Sequence, residues 1–151
     1  MPTYAGERRL PYSAEDVFDV VSDVESYPRF LPGWRTAQIL ERSKDTLRVA
    51  QTVAVPPFRW RFVSEAVLER PERLDIGTSG GPFRYLHIEW RFTRQGEAAC
   101  VAGLTVRYAM RSRVVEKATG ALLRDLPRRT LSAFEQRLAR LKGHPAHPLR
   151  S

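Results

Sequence analysis

Few side chains in this sequence have both the type and the spacing for chemistry. His87 stands between Tyr85 and Glu89 in an alternating stretch, so the three share one strand face. Glu89 is placed to orient the imidazole, and such a pair would serve as a general base if a substrate came within reach. The ordinary alternative is a solvent-facing sheet residue. Tyr108 falls on the apolar alternate of a later stretch. Its hydroxyl needs a partner there, either a ligand carbonyl or a backbone group. Cys100 is the only cysteine, which excludes an internal disulfide and a cysteine-based zinc site. With no base beside it in sequence, it reads as a packing residue. His144 and His147 lie in the proline-rich ending Gly143-His-Pro-Ala-His-Pro-Leu-Arg-Ser151, a poor place to hold a metal. There is no glycine-rich phosphate loop, no serine nucleophile elbow and no metal spacing of His and carboxylates. The residues therefore assign no catalytic group, no metal and no cofactor, and they favour a binding protein over an enzyme.

Charge offers a second kind of chemistry. The 151 residues carry 25 Lys plus Arg against 17 Asp plus Glu, a formal +8, and only Lys44, Lys117 and Lys142 are lysines. Arg59, Arg61, Arg84, Arg91 and Arg107 recur on the polar alternates of three stretches. If those strands are neighbours, the guanidinium groups form a basic outer wall suited to phosphates, whether of RNA, of DNA or of an anionic membrane surface. Aromatics interleave poorly with them, so base stacking is not indicated. Arginines spread along a chain also simply cover a wet sheet face. No apolar run approaches the roughly 20 residues of a membrane span. The polar stretch Met1 to Leu10 lacks the apolar core of a secretory signal, so the expected location is cytoplasmic.

The elements that position these residues follow from hydrophobic period. With 42% hydrophobic and 10% aromatic residues, the composition suits one domain, expected over 1–142, with 143–151 as a flexible tail. Thr3–Leu10 fits a first strand. Ser13-x-x-Asp16 resembles a capping box before the apolar positions Val17, Phe18, Val20, Val21 and Val24. The segment Asp23 to Trp34 is chopped by Pro28 and Pro32 into a helical turn and a bend, and Tyr27, Phe30, Leu31 and Trp34 make it apolar for a connector. Six further strands follow: 38–42, 46–55, 58–69, 74–78, 84–93 and 100–111. Their dry alternates include Trp60 and Phe62, then Leu86, Ile88 and Trp90, then Leu104 and Tyr108. From Arg113 to Lys142 the apolar residues Val115, Ala118, Leu122, Leu126, Thr130, Phe134, Leu138 and Leu141 step by three or four, one face of a helix about 45 Å long if unbroken. Gly120 and Pro127 predict a kink or break in its first half. Strand, two short helices, six strands and a long helix make an α+β protein. Its curved antiparallel sheet of about seven strands must bury its dry face on the last helix.

Three segments carry a family resemblance: Asp23-Val-Glu-Ser-Tyr-Pro-Arg-Phe-Leu-Pro-Gly-Trp34, Gly81-Pro-Phe-Arg-Tyr-Leu86 with Trp90-Arg-Phe92, and Ala133-Phe-Glu-Gln-Arg137. They resemble the START-like helix-grip superfamily, and within it the coenzyme Q-binding and polyketide cyclase-like group. The group's usual pattern sets Trp directly after the second Pro, often followed by Cys. Here Gly33 intervenes and Arg35 follows Trp34. The resemblance implies a hydrophobic small molecule or lipid held in a cavity between sheet and C-terminal helix, as cargo of a carrier or chaperone. In the quinone-binding branch that ligand is a polyprenylated quinone. A similar branch consists of bacterial toxins that bind the large ribosomal subunit and block subunit association. A third possibility is a polyketide cyclase/dehydrase-like enzyme. On the cavity reading, Tyr27, Phe30 and Trp34 gate the mouth. Trp60, Phe62, Leu86, Ile88, Trp90, Leu104, Tyr108, Leu126 and Phe134 line the interior. The open alternative is that these side chains fill a solid core.

Overall fold

The computed structural model describes residues 3–143. Strand β1 (Thr3–Leu10) leads to helix α1 (Ala14–Val21) and a 3₁₀ segment (Val24–Arg29). Six strands follow: β2 (Trp34–Arg42), β3 (Thr46–Val55), β4 (Phe58–Glu69), β5 (Arg73–Thr78), β6 (Phe83–Arg94) and β7 (Cys100–Met110). Two helices close the chain, α2 (Arg113–Arg124) and α3 (Leu126–Lys142). The seven strands form one antiparallel sheet in the order β1-β7-β6-β5-β4-β3-β2. Each consecutive pair from β2 to β7 is a hairpin, and β1 returns to the far edge beside β7.

The strand faces follow the alternation in the sequence. In β4, Trp60, Phe62, Ser64 and Ala66 are buried while Arg59, Arg61, Val63, Glu65 and Val67 are exposed. A one-residue slip would invert every one of these, so burial fixes the register. Ser13 caps α1 by accepting from the backbone N–H of Asp16 at 3.1 Å, and Ser112 caps α2 in the same way through Val115 at 3.2 Å. The carboxylate of Glu116 accepts from the backbone N–H of Met110 at 2.9 Å, tying the start of α2 to the end of β7. At the other edge of the sheet, Glu25 reaches from the 3₁₀ segment to accept from the backbone N–H of Ile39 at 2.8 Å.

Two expectations need correction, the start of β2 and the phase of the first C-terminal helix, while the expected break is present. Strand β2 begins at Trp34, not at residue 38. The proline-rich connector is therefore shorter than its composition implies, and its last aromatic belongs to the sheet. The break expected from Gly120 and Pro127 falls at Asp125, where the long helix divides into two. Pro127 occupies the first turn of α3, where its missing N–H costs nothing, and Gly120 stays inside α2. The break resets the helical phase. In α2 the buried residues are Thr119 and Leu123, while Ala118 is exposed and Leu122 is half-exposed. In α3, Leu131, Phe134 and Leu138 are buried, and Leu141 stands in solvent. A single stripe drawn across both helices runs one residue out of step in the first.

Candidate functional site

Between the concave face of the sheet and the covering helices lies a cavity of about 350 Å³. Its walls are Trp60 and Phe62 of β4, Leu86, Ile88 and Trp90 of β6, and Leu104 and Tyr108 of β7. Leu126 and Phe134 of α3 form the roof, and Tyr27 and Trp34 stand on the side of the connector. Phe134 meets Trp90 edge-on at 5.3 Å and Tyr27 at 5.6 Å, so helix and sheet touch through rings at one end of the space. Tyr27 turns its hydroxyl away, donating to the carbonyl of Val21. Burial, with Asp23 nearby, holds that phenol above its ordinary pKa. Phe30 is the one expected residue that does not line the cavity. It packs edge-on against Phe134 at 5.1 Å and lies under the guanidinium of Arg137, also at 5.1 Å.

Polar groups enter this interior at two places on opposite walls. Gln51 of β3 and Ser64 of β4 are both buried. Trp34 Nε1 donates to Gln51 Oε1 at 3.2 Å, and Gln51 Nε2 donates to Ser64 Oγ at 2.5 Å. On β7, the Tyr108 hydroxyl is buried without a hydrogen bond of ordinary geometry. Burial and the neighbouring Tyr4 raise its pKa, so it is a neutral donor facing an apolar space.

Residues 10–135 match the family described as polyketide cyclase / dehydrase and lipid transport. The chain belongs to that family. The ribosome association toxin RatA of Pseudomonas aeruginosa is 35% identical over 134 residues, covering 89% of this chain and 93% of the toxin. The coenzyme Q-binding protein COQ10 homolog B, mitochondrial, of Xenopus laevis is 26% identical over 150 residues, covering 97% of this chain and 62% of that protein. Among solved structures, the Zhui aromatase/cyclase from Streptomyces sp. R1128 superposes with a TM-score of 0.82 at 18% identity, covering 95% of this chain and 99% of that one. At that identity the match speaks for the fold alone. The START-like helix-grip architecture is thus that of the family.

The remaining candidates lie outside the cavity of this family member. His87 is on the outer face of the sheet, with Nε2 3.6 Å from Asp75 Oδ1 and Nδ1 3.4 Å from Arg107 Nη1. Glu89 does not orient it. That carboxylate is held by Arg91 at 2.7 Å and Arg73 at 3.5 Å, because guanidinium groups on the same face compete for it. Cys100 is fully buried, and burial, with Glu15 adding to it, pushes its thiol up to about 11. No cluster of three His, Cys, Asp or Glu fit to hold a metal occurs among the described residues. His144 and His147 lie outside those residues. The basic wall is interrupted. Asp75 and Glu89 pair across β5 and β6 in its middle, Arg91 is taken up by Glu89, and Arg107 leans on His87. Arg59, Arg61 and Arg84 are exposed and make no ion pair with the described residues.

Among the lining residues that escaped the sequence reading, four bring polar or charged groups that matter here: Gln51, Ser64, Arg35 and Arg129. The first two were accessible to it. Gln51 interrupts the alternate Leu47, Val49, Val53, and Ser64 interrupts Trp60, Phe62, Ala66. A polar residue on a dry alternate is a signal in itself. Arg35 depends on a β-bulge, which no period reveals, and Arg129 flanks the apolar stripe of α3 beside Leu126 and Thr130, where its charge reads as a solvated face.

Proposed function

We propose that this protein binds an apolar small molecule or lipid in the cavity between its sheet and its C-terminal helices, as a carrier or chaperone. The observation that supports it is the 350 Å³ space lined by rings and aliphatic side chains, at the low end of the roughly 300–1,000 Å³ typical of small-molecule sites. Each buried methylene of a guest contributes about 0.8 kcal/mol, so a short tail binds here without a charged contact. Among the described residues the lining holds no carboxylate and no histidine, so none of these supplies an acid–base agent of the usual kind. The name of the Xenopus relative brings in a polyprenylated quinone; the volume suits its ring and the start of its tail, with the rest leaving by the mouth. Native mass spectrometry of the purified protein, followed by organic extraction, tests the proposal. An adduct that extracts as a lipid or quinone is the expected result. An adduct-free protein that also gives no tryptophan fluorescence change with medium-chain alcohols and acids overturns it.

A second reading has its own support in the 35% identity to the ribosome association toxin and in the unpaired arginines Arg59, Arg61 and Arg84. In that reading the outer face meets phosphates of the large ribosomal subunit. The two readings use opposite faces of the sheet and separate by mutation. Cosedimentation with large subunits at low salt, lost on replacing those three arginines by glutamine, supports it. Absence of cosedimentation under those conditions, where counterion release is most favourable, removes it.

A further inference from the structure

The cavity has a charged rim of one sign. Among the described residues only Arg35 and Arg129 bring an Arg, Lys, Asp or Glu side chain to the lining, so no carboxylate side chain joins them. Both are exposed, and neither makes an ion pair or side-chain hydrogen bond with the described residues. Their neighbours are otherwise engaged: Asp125, one turn before Arg129, holds Arg128 through two hydrogen bonds of 2.8 and 2.9 Å.

Arg35 reaches this rim through a backbone irregularity. Trp34 pairs with Val53 and Thr36 with Thr52, so Arg35 is the extra residue of a bulge in β2. Consecutive residues of a regular strand point to opposite faces. The bulge cancels that rule at one position, and Trp34 and Arg35 both border the cavity. Gly33 anchors the bulge. Its carbonyl accepts from the backbone N–H of Ala54 at 2.7 Å. Arg129 comes from the other side, on α3 between Leu126 and Thr130, which also line the space.

We infer that the guest is an anionic amphiphile: an aliphatic tail in the cavity and a carboxylate or phosphate head at the mouth, met by Arg35 and Arg129. This rests on the cavity reading and adds a charge that a quinone lacks. Arginine suits either head, because its planar donors match two oxygens at once. The inner polar groups, Gln51 with Ser64 and the Tyr108 hydroxyl, then lie along the tail's path and favour a chain bearing an oxygen.

The test compares decanoate, decyl phosphate and 1-decanol, which share a tail and differ in head. Binding is read from the fluorescence of Trp34, Trp60 and Trp90, all of which line the cavity. At low ionic strength the two anions should bind about 5- to 10-fold more tightly than the alcohol, the scale expected of two solvent-exposed charge contacts. The advantage should shrink as salt is added. Arg35→Gln together with Arg129→Gln should remove it and leave the affinity for 1-decanol within about two-fold. Arg140→Gln, an exposed residue of α3 outside the cavity lining, should leave it intact. Equal binding of the anions and the alcohol by the native protein overturns the assignment of the head while the cavity reading stands. An advantage that survives the double variant overturns the role of these two arginines. No response to any of the three overturns both readings.

Discussion

Gly33 holds φ at +87°, and a Cβ built on it would sit 2.8 Å from the carbonyl oxygen of Ala54. Gly96, in the β6–β7 turn, has φ of +77° and nothing within 4 Å of such a Cβ. The pair separates conformational strain from collision. Gly96→Ala should cost about 1–2 kcal/mol, the left-handed penalty alone. Gly33→Ala should cost clearly more, because backbone must move and the neighbouring bulge with it. Urea midpoints at constant m-value check the order; equal costs would mean that the Gly33 loop relaxes freely. At this scale the sequence was only partly legible. The aromatics of β4 and β6 announce the interior by alternation, whereas Phe30 looks like a gate and is a buttress. Its partner Arg137 lies on a helix far along the chain, and no local pattern encodes their stacking.

Phe134 shows what an element contributes. It is buried in the middle of α3, and its ring meets those of Tyr27, Phe30 and Trp90 within 5.6 Å. Helix α3 is thereby pinned to the connector and the sheet at one end of the cavity. Phe134→Ala should destabilise the protein by about 3–5 kcal/mol, and it should enlarge the cavity if the fold persists. A loss well under 1 kcal/mol by chemical denaturation would show that α3 packs chiefly through Leu131 and Leu138. The strands were readable to within a residue or two, except β2, because hairpin turns and period-two alternation mark their ends. Helix α3 was readable from its stripe. What hid α2 was the break at Asp125: periodicity identifies a helix but carries no phase across a discontinuity, so its buried side was assigned one residue early.

Over the whole molecule, ion pairs fasten the short N-terminal helix to the sheet. Glu15 of α1 binds Arg94 at the end of β6, and Asp19 binds Arg70 of the β4–β5 turn at 2.8 and 3.0 Å. Arg94 lowers the pKa of Glu15 in the folded state. A depressed folded value means that the contribution exists above the ordinary glutamate range of about 4.3 and is lost as pH falls through the folded value. Melting temperatures should therefore show native protein above Glu15→Gln at neutral pH, by a small margin for so exposed a pair, and the two should converge in acid. A constant gap down to strongly acidic pH would contradict the pairing. The architecture itself was foreseeable from element order, since a sheet with one dry face and only one large apolar partner has few ways to fold. The space inside was expected from the family resemblance and not from element order, because vacancy is a property of how side chains jointly fail to meet.

The carboxylate of Glu25 on the backbone N–H of Ile39 has a consequence for the molecule in company. Strand β2 is the last in its sheet, and its free donors invite a strand from another chain to continue the ladder. Glu25 occupies one of those donors, and the bulge at Arg35 breaks the straight run of the others. Together they discourage copies of the protein from joining edge to edge.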